Sequence, residues 1–168
     1  MCEWVRQSII DRLNGRHIHL RPYAAVEGLS AAEAKKSVKG TRSVHELLYH
    51  IVYWLEYSLA LLGGKAVEHV EDADWDFEKS SWEDLLARFI MGTSRLMFIA
   101  ENWNLDREVR ISDEAVTCVG TELLGVIQHN SYHLGPDHIN SPRTWTLAYG
   151  MTPVFVLACG INLFYDIN

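Results

Sequence analysis

The chain has 168 residues, 48% of them hydrophobic and 22% charged, which is typical of one globular domain with a sizeable core. A net charge of −7 argues against nucleic acid or an anionic membrane as a partner, because binding to phosphates needs a basic surface. The three cysteines stand far apart and the charged N-terminus lacks the apolar segment of a signal peptide, so we expect reduced thiols and a cytoplasmic location.

The first predicted helix covers residues 2–13, where apolar side chains recur along one stripe, and an Asn-Gly pair follows it. Residues 15–40 connect it to the next long helix. Within this connection Ser30 and Glu33 form a capping-box pattern, in which each side chain bonds the other's backbone. The pattern predicts a short helix over residues 31–38.

A second capping-box pattern, Ser43 and Glu46, starts the second long helix, which continues to a Gly-Gly pair. Apolar residues cover more than one of its faces, so we expect it to lie centrally. His45 stands at its start, where the helix dipole disfavours positive charge, and we expect this imidazole to be neutral and exposed. The acidic residues 65–79 then predict a solvated loop.

Ser81 begins the third long helix, which is predicted to end near Trp103, and residues 104–120 form another polar connection. The fourth long helix opens at Gly120 or Thr121. No strand-like alternation persists anywhere, and no internal repeat stands out. Four long amphipathic helices with lengthy connections predict an all-α four-helix bundle.

The C-terminal segment, residues 141–168, is apolar from Leu147 to Tyr165. Its length is that of a bilayer span, but Pro153 and Asn162 argue against one, and basic anchors do not flank it on both sides. We expect this segment to pack against the bundle or against a second copy of the chain.

The stretch HNSYHLG places His129 and His133 on one face of a helix, about 5–6 Å apart at Cβ. Two imidazoles rarely hold a first-row metal alone, and in a bundle the third ligand comes from a facing helix. His50 is the best candidate, because its apolar neighbours put it on the core-facing side of its helix. Alone, a core histidine is more often satisfied by a hydrogen bond, and an HxxxH pair is more often a surface coincidence. Together they favour one metal site, because the apolar stripes of the two helices should meet.

Three segments, GRHIHLRPYAAVEGLS, HELLYHIVYW and HNSYHLG, resemble the DinB-like superfamily over roughly residues 1–135. The resemblance implies a metal-binding four-helix bundle, often dimeric, in which His50 and the pair His129 and His133 hold a divalent ion with positions left open. It also implies a hydrolase or a thiol-dependent transferase, with a small molecule or a low-molecular-weight thiol as substrate.

The chain departs from the family pattern after Gly135. Pro136 is expected to stop the helix at or just before that point, which places His133 in its last turn. Residues 136–168 do not resemble the family, and a divergent or frameshifted end is one hypothesis for them. We treat residues 1–168 as one domain with a bundle core over about residues 1–135.

Three neutral imidazoles with an open position are the ligand set of a catalytic ion, and imidazole suits zinc, nickel and iron alike. Around this set, Glu46 is predicted to orient His50, and Glu122, Tyr53 and Tyr132 are candidates for contacts to ligands or substrate. The competing interpretation is a solvated carboxylate or a packed aromatic in each case.

Two other functions compete with a metalloenzyme. One is a metal-binding or stress-related bundle without catalysis, and the other is a bundle that has lost its metal. The chain has no GxSxG, P-loop, GxGxxG or HExxH motif, which argues against a serine hydrolase, a nucleotide-binding enzyme and a zincin protease.

Overall fold

A computed structural model of the chain describes residues 3–16, 22–37 and 41–134. Within these ranges the protein is mostly helical, with one small two-stranded sheet, and the predicted all-α class is confirmed. The helices are α1 Glu3–Leu13, α2 Ala31–Ala34, α3 Val44–Leu62, α4 Trp82–Asn102 and α5 Val119–His133. The tail from residue 135, which includes His138, and the connection residues His17 and His19 lie outside the described residues.

Side-chain caps start α2, α3 and α4 as the sequence predicts. At α3, the Ser43 hydroxyl accepts a hydrogen bond from the Glu46 N–H, and the Glu46 carboxylate accepts one from the Ser43 N–H at 2.8 Å. Ser30 and Glu33 make the same reciprocal pair at α2, and Ser81 caps α4. The α2 helix is shorter than predicted, because residues 35–37 are exposed and no packing extends it.

The connection over residues 104–120 contains a β-hairpin, which the sequence analysis did not predict. Strand β1, Glu108–Arg110, pairs antiparallel with strand β2, Val116–Cys118, and Val109 is buried. Strands of three residues are too short to leave an alternating pattern in a sequence. The hairpin leads directly into α5, which begins at Val119, one or two residues earlier than predicted.

Helix α3 is the element against which most others pack. It contacts α4 and α5 along its length and also touches α2 and two 3-10 turns, Ala73–Trp75 and Phe77–Lys79, while α1 packs against α4 and α5. Two clusters of buried apolar side chains fill the spaces between these helices, and α3 supplies residues to both. This packing brings the start of α3 beside the end of α5.

In the part of the chain that the structure describes, no helix combines the length and apolarity needed to cross a bilayer. The apolar segment 141–168, for which the sequence raised that question, lies outside these residues.

The expected exposure of His45 is wrong. Its side chain is buried at 3% exposure between the rings of Phe77 and Trp82, and its Nε2 lies 3.1 Å from the Ser80 carbonyl oxygen. Burial lowers the pKa of His45, and the hydrogen bond to Ser80 opposes this only in part. The imidazole is therefore neutral near pH 7 and joins the start of α3 to the residue before the cap of α4.

Replacing His45 with glutamine is expected to lower the free energy of unfolding at pH 7.5 by about 1–2 kcal/mol, because ring packing is lost while an N–H donor is kept. It should also flatten the loss of stability in acid. The folded-state pKa of His45 lies below its ordinary value of 6.5, so the unfolded chain binds more protons than the folded one below that pH. The stability from a neutral His45 is therefore present above about pH 6.5 and falls as the solution is acidified.

Urea unfolding of the wild type and the His45→Gln variant between pH 7.5 and 5.5 measures both effects. His69→Gln is the matched control, because it removes an exposed imidazole. Parallel stability curves for wild type and His45→Gln across this range would contradict the prediction.

Candidate metal centre

Helices α3 and α5 bring the three predicted histidines together. His50 lies in the second turn of α3, and His129 and His133 lie in the last two turns of α5. One ring nitrogen from each residue lies within 4.8 Å of the others, and the distances between ring centroids run from 4.6 to 5.1 Å. His50 is buried and the other two are half-buried. These three histidines can hold a metal ion.

The separation between His50 and His129 suits one shared ion. Their Nε2 atoms are 3.2 Å apart. In a tetrahedral site with Zn–N bonds of about 2.0–2.1 Å, two ligand nitrogens are about 3.3–3.4 Å apart. A ring nitrogen of His133 lies within 4.8 Å of those of His50 and His129, so all three imidazoles are close enough to approach one ion. His133 lies in the last turn of α5, as the sequence predicts.

The protonation of these rings also favours ion binding. Burial lowers the pKa of His50, with a further contribution from His133, while Asp74 opposes the shift. Burial likewise lowers the pKa of His129, and so does His50. Both rings are therefore neutral near pH 7, the form in which imidazole binds metals. Two lone pairs facing at 3.2 Å would repel, so one of the two Nε2 atoms carries a hydrogen and donates it to the other.

Asp74 is the residue near this centre that sequence reasoning missed. Its Oδ2 lies 3.0 Å from His50 Nδ1 and accepts a hydrogen bond of 3.1 Å from Trp54 Nε1. The next residue, Trp75, stacks on the His50 ring with centroids 4.3 Å apart and planes 17° from parallel. The acidic stretch around Asp74 looks like a solvated loop in the sequence, and no local pattern distinguishes this carboxylate from its exposed neighbours.

Two of the predicted surrounding residues have other partners. The Glu46 carboxylate bonds the Ser43 cap and the Arg42 guanidinium, which holds the pKa of Glu46 low against the effect of burial. The capping box thus occupies the group that was expected to orient His50. The Tyr53 hydroxyl lies 3.3 Å from Nδ1 of the exposed His69.

A cleft of about 190 Å³ opens between α3 and α5 next to the histidines. Its walls are mostly apolar, and it is lined by Trp54, Leu55, Ser58, Glu122, Gly125, Val126 and His129. Burial raises the pKa of Glu122. Tyr132 is not part of this lining. It is 62% exposed, and its ring meets the ring of His133 edge-on at 4.9 Å.

No family model, no curated protein and no solved structure matches this chain.

Proposed function

We propose that this protein is a DinB-like four-helix bundle that binds one divalent ion through His50, His129 and His133. The observation that carries the proposal is the approach of three imidazoles from two helices, one buried and two half-buried, to within 4.8 Å of one another. Their number supports a catalytic ion, because a structural zinc ion normally has four protein ligands and a catalytic one keeps a position open. The four long helices and their mutual contacts support the bundle.

We further propose that the protein is a metal-dependent hydrolase or thiol S-transferase. A divalent ion in such a site lowers the pKa of a bound water or thiol toward neutrality, which supplies a nucleophile at pH 7. Zinc, nickel and iron all suit three imidazoles. The predicted homodimer and the cytoplasmic location stay predictions.

The cleft between α3 and α5 supports a small substrate. His129 forms part of its wall, so a molecule bound there lies beside the proposed ion. Its volume of about 190 Å³ is below the roughly 300–1,000 Å³ of sites for drug-sized ligands. Glu122 is the acidic group of the lining, and burial raises the pKa of its carboxyl, so it is our candidate for a proton-transfer group at the substrate.

The first test is metal uptake. Purified protein incubated with zinc, nickel or iron(II) and then desalted is expected to retain about one ion per chain by elemental analysis. Retention below about a tenth of an ion per chain would instead favour a bundle that has lost its metal. The loaded protein is then screened with low-molecular-weight thiols plus electrophilic acceptors, and with simple esters and amides. Full loading without turnover would favour a non-catalytic metal-binding protein.

If a reaction is found, substitutions in the cleft test whether the substrate binds there. Gly125→Phe places a ring in the cleft, where the structure leaves space beside the glycine, and is expected to raise KM about tenfold or more without changing the ion content. Ser94→Phe adds the same ring to an exposed position on α4 and is the matched control. Equal effects of the two variants on KM would argue against binding in the cleft.

A further inference from the structure

We propose that the 3-10 turn Ala73–Trp75 is a positioning element for His50, in which the Asp74 carboxylate fixes the proton on Nδ1 and leaves Nε2 without a hydrogen. The inference that Nε2 then binds an ion rests on the proposed function. The contact between Asp74 and His50 is seen in the structure whether or not an ion binds.

Asp74 is the buried member of an acidic loop. Its neighbours Glu71, Asp72 and Asp76 are exposed, whereas Asp74 is 8% exposed. A carboxylate loses hydration on burial and needs compensating partners. The two partners that the structure gives it are His50 and Trp54, both on α3. The loop therefore buries one carboxylate specifically where it meets the histidine.

The contact acts on one side of the imidazole. Asp74 Oδ2 lies 3.0 Å from Nδ1, but off the direction of the ring N–H, so the contact is electrostatic more than a well-directed hydrogen bond. The short distance decides the effect, because a carboxylate this close to a buried ring favours a hydrogen on the facing nitrogen. With the hydrogen on Nδ1, the lone pair of Nε2 faces His129 at 3.2 Å. In the metal-free protein, His129 is then the donor of that pair.

The turn also fixes the orientation of the His50 ring plane. Trp75 stacks on His50, and the Arg42 guanidinium lies over the Trp75 ring at 4.2 Å from its centroid. The Tyr49 hydroxyl donates a hydrogen bond of 3.2 Å to the Ala73 carbonyl oxygen, and Trp54 Nε1 holds the carboxylate itself. Successive residues of the turn thus contact three side chains of α3. Carboxylate partners of this kind orient metal-binding histidines and raise their basicity.

The inference is tested first by metal affinity, measured by competition with a chromophoric chelator for zinc and nickel. Asp74→Asn keeps the size of the side chain and is expected to weaken binding about tenfold, and Asp74→Ala to weaken it toward 100-fold. The matched control is Asp76→Asn, which removes the same charge from the same loop. Asp76 is exposed and bonds Lys79, so its replacement should change affinity by no more than about twofold.

The second readout does not involve a metal. Long-range proton–nitrogen correlation spectra of the metal-free protein are expected to show His50 with its hydrogen on Nδ1. Asp74→Ala should shift the ring toward the other tautomer, while Asp76→Asn leaves it unchanged. If Asp74→Ala fails to fold, Asp74→Asn serves for the same comparison.

Either of two results would overturn the inference: a hydrogen on Nε2 of His50 in the wild type, or equal weakening of metal binding by the Asp74 and Asp76 variants. A wild-type protein that takes up no ion would count against the proposed function alone. The tautomer of His50 would then still decide whether Asp74 positions the ring.

Discussion

His129→Ala is expected to weaken the binding of zinc or nickel by about 100-fold or more. Structural zinc sites bind with about 10–16 kcal/mol from four ligands, so each ligand contributes roughly 3 kcal/mol. Of the three histidines, His129 is the one whose loss should weaken binding most, because its Nε2 faces His50 at 3.2 Å and its neighbour His133 lies one turn nearer the helix end.

His69→Ala is the control for this experiment. His69 lies in the same aromatic cluster, stacked on Trp54 with centroids 5.0 Å apart, but it does not belong to the group of three that can share an ion. Its replacement should leave metal affinity within about twofold of the wild type. Unchanged affinity in His129→Ala, or an equal loss in both variants, would show that other residues hold the ion.

Gly92→Ala is expected to destabilise the protein by about 1–3 kcal/mol, although alanine is the better helix former by about 1 kcal/mol. Gly92 is buried on α4 where that helix meets α3, and a Cβ there would overlap Cδ2 of Leu55. Leu55 is 1% exposed within the core, so its side chain cannot move aside without disturbing its neighbours.

Replacing Gly125 with alanine is expected to have the opposite effect on the free energy of unfolding. Nothing lies within 4 Å of a Cβ built at Gly125, and the residue is exposed on α5. Gly125→Ala should therefore stabilise the protein by up to about 1 kcal/mol. Thermal unfolding of both variants beside the wild type measures the difference. An increase in Tm for Gly92→Ala as large as for Gly125→Ala would contradict the close approach of α3 and α4.

The starts of the helices could be predicted from the sequence because the forces that set them are local. Ser30 with Glu33 and Ser43 with Glu46 bond each other across a single turn, and the residue types alone reveal the arrangement. The approach of the three histidines was also predictable, since the HxxxH spacing fixes one helix face and the apolar neighbours of His50 indicate the other.

The surroundings of those histidines were not predictable in this way. The burial of His45 depends on Phe77 and Trp82, and the contact of Asp74 with His50 depends on a turn that folds back onto α3. Both are contacts between residues distant in the chain. Glu46 was predicted both to cap α3 and to orient His50. In the structure its carboxylate bonds the nearby Ser43 of the cap and so does not orient His50.

The position of His133 at the terminus of α5 has a consequence for how tightly an ion is held. Terminal helical turns open and re-form readily, so coordination of an ion by all three histidines would exist only during the fraction of time in which that turn is closed. The apparent dissociation constant is the intrinsic one divided by that fraction. A bound cation would in turn stabilise the closed form, so cation binding and formation of the last turn of α5 would be thermodynamically coupled.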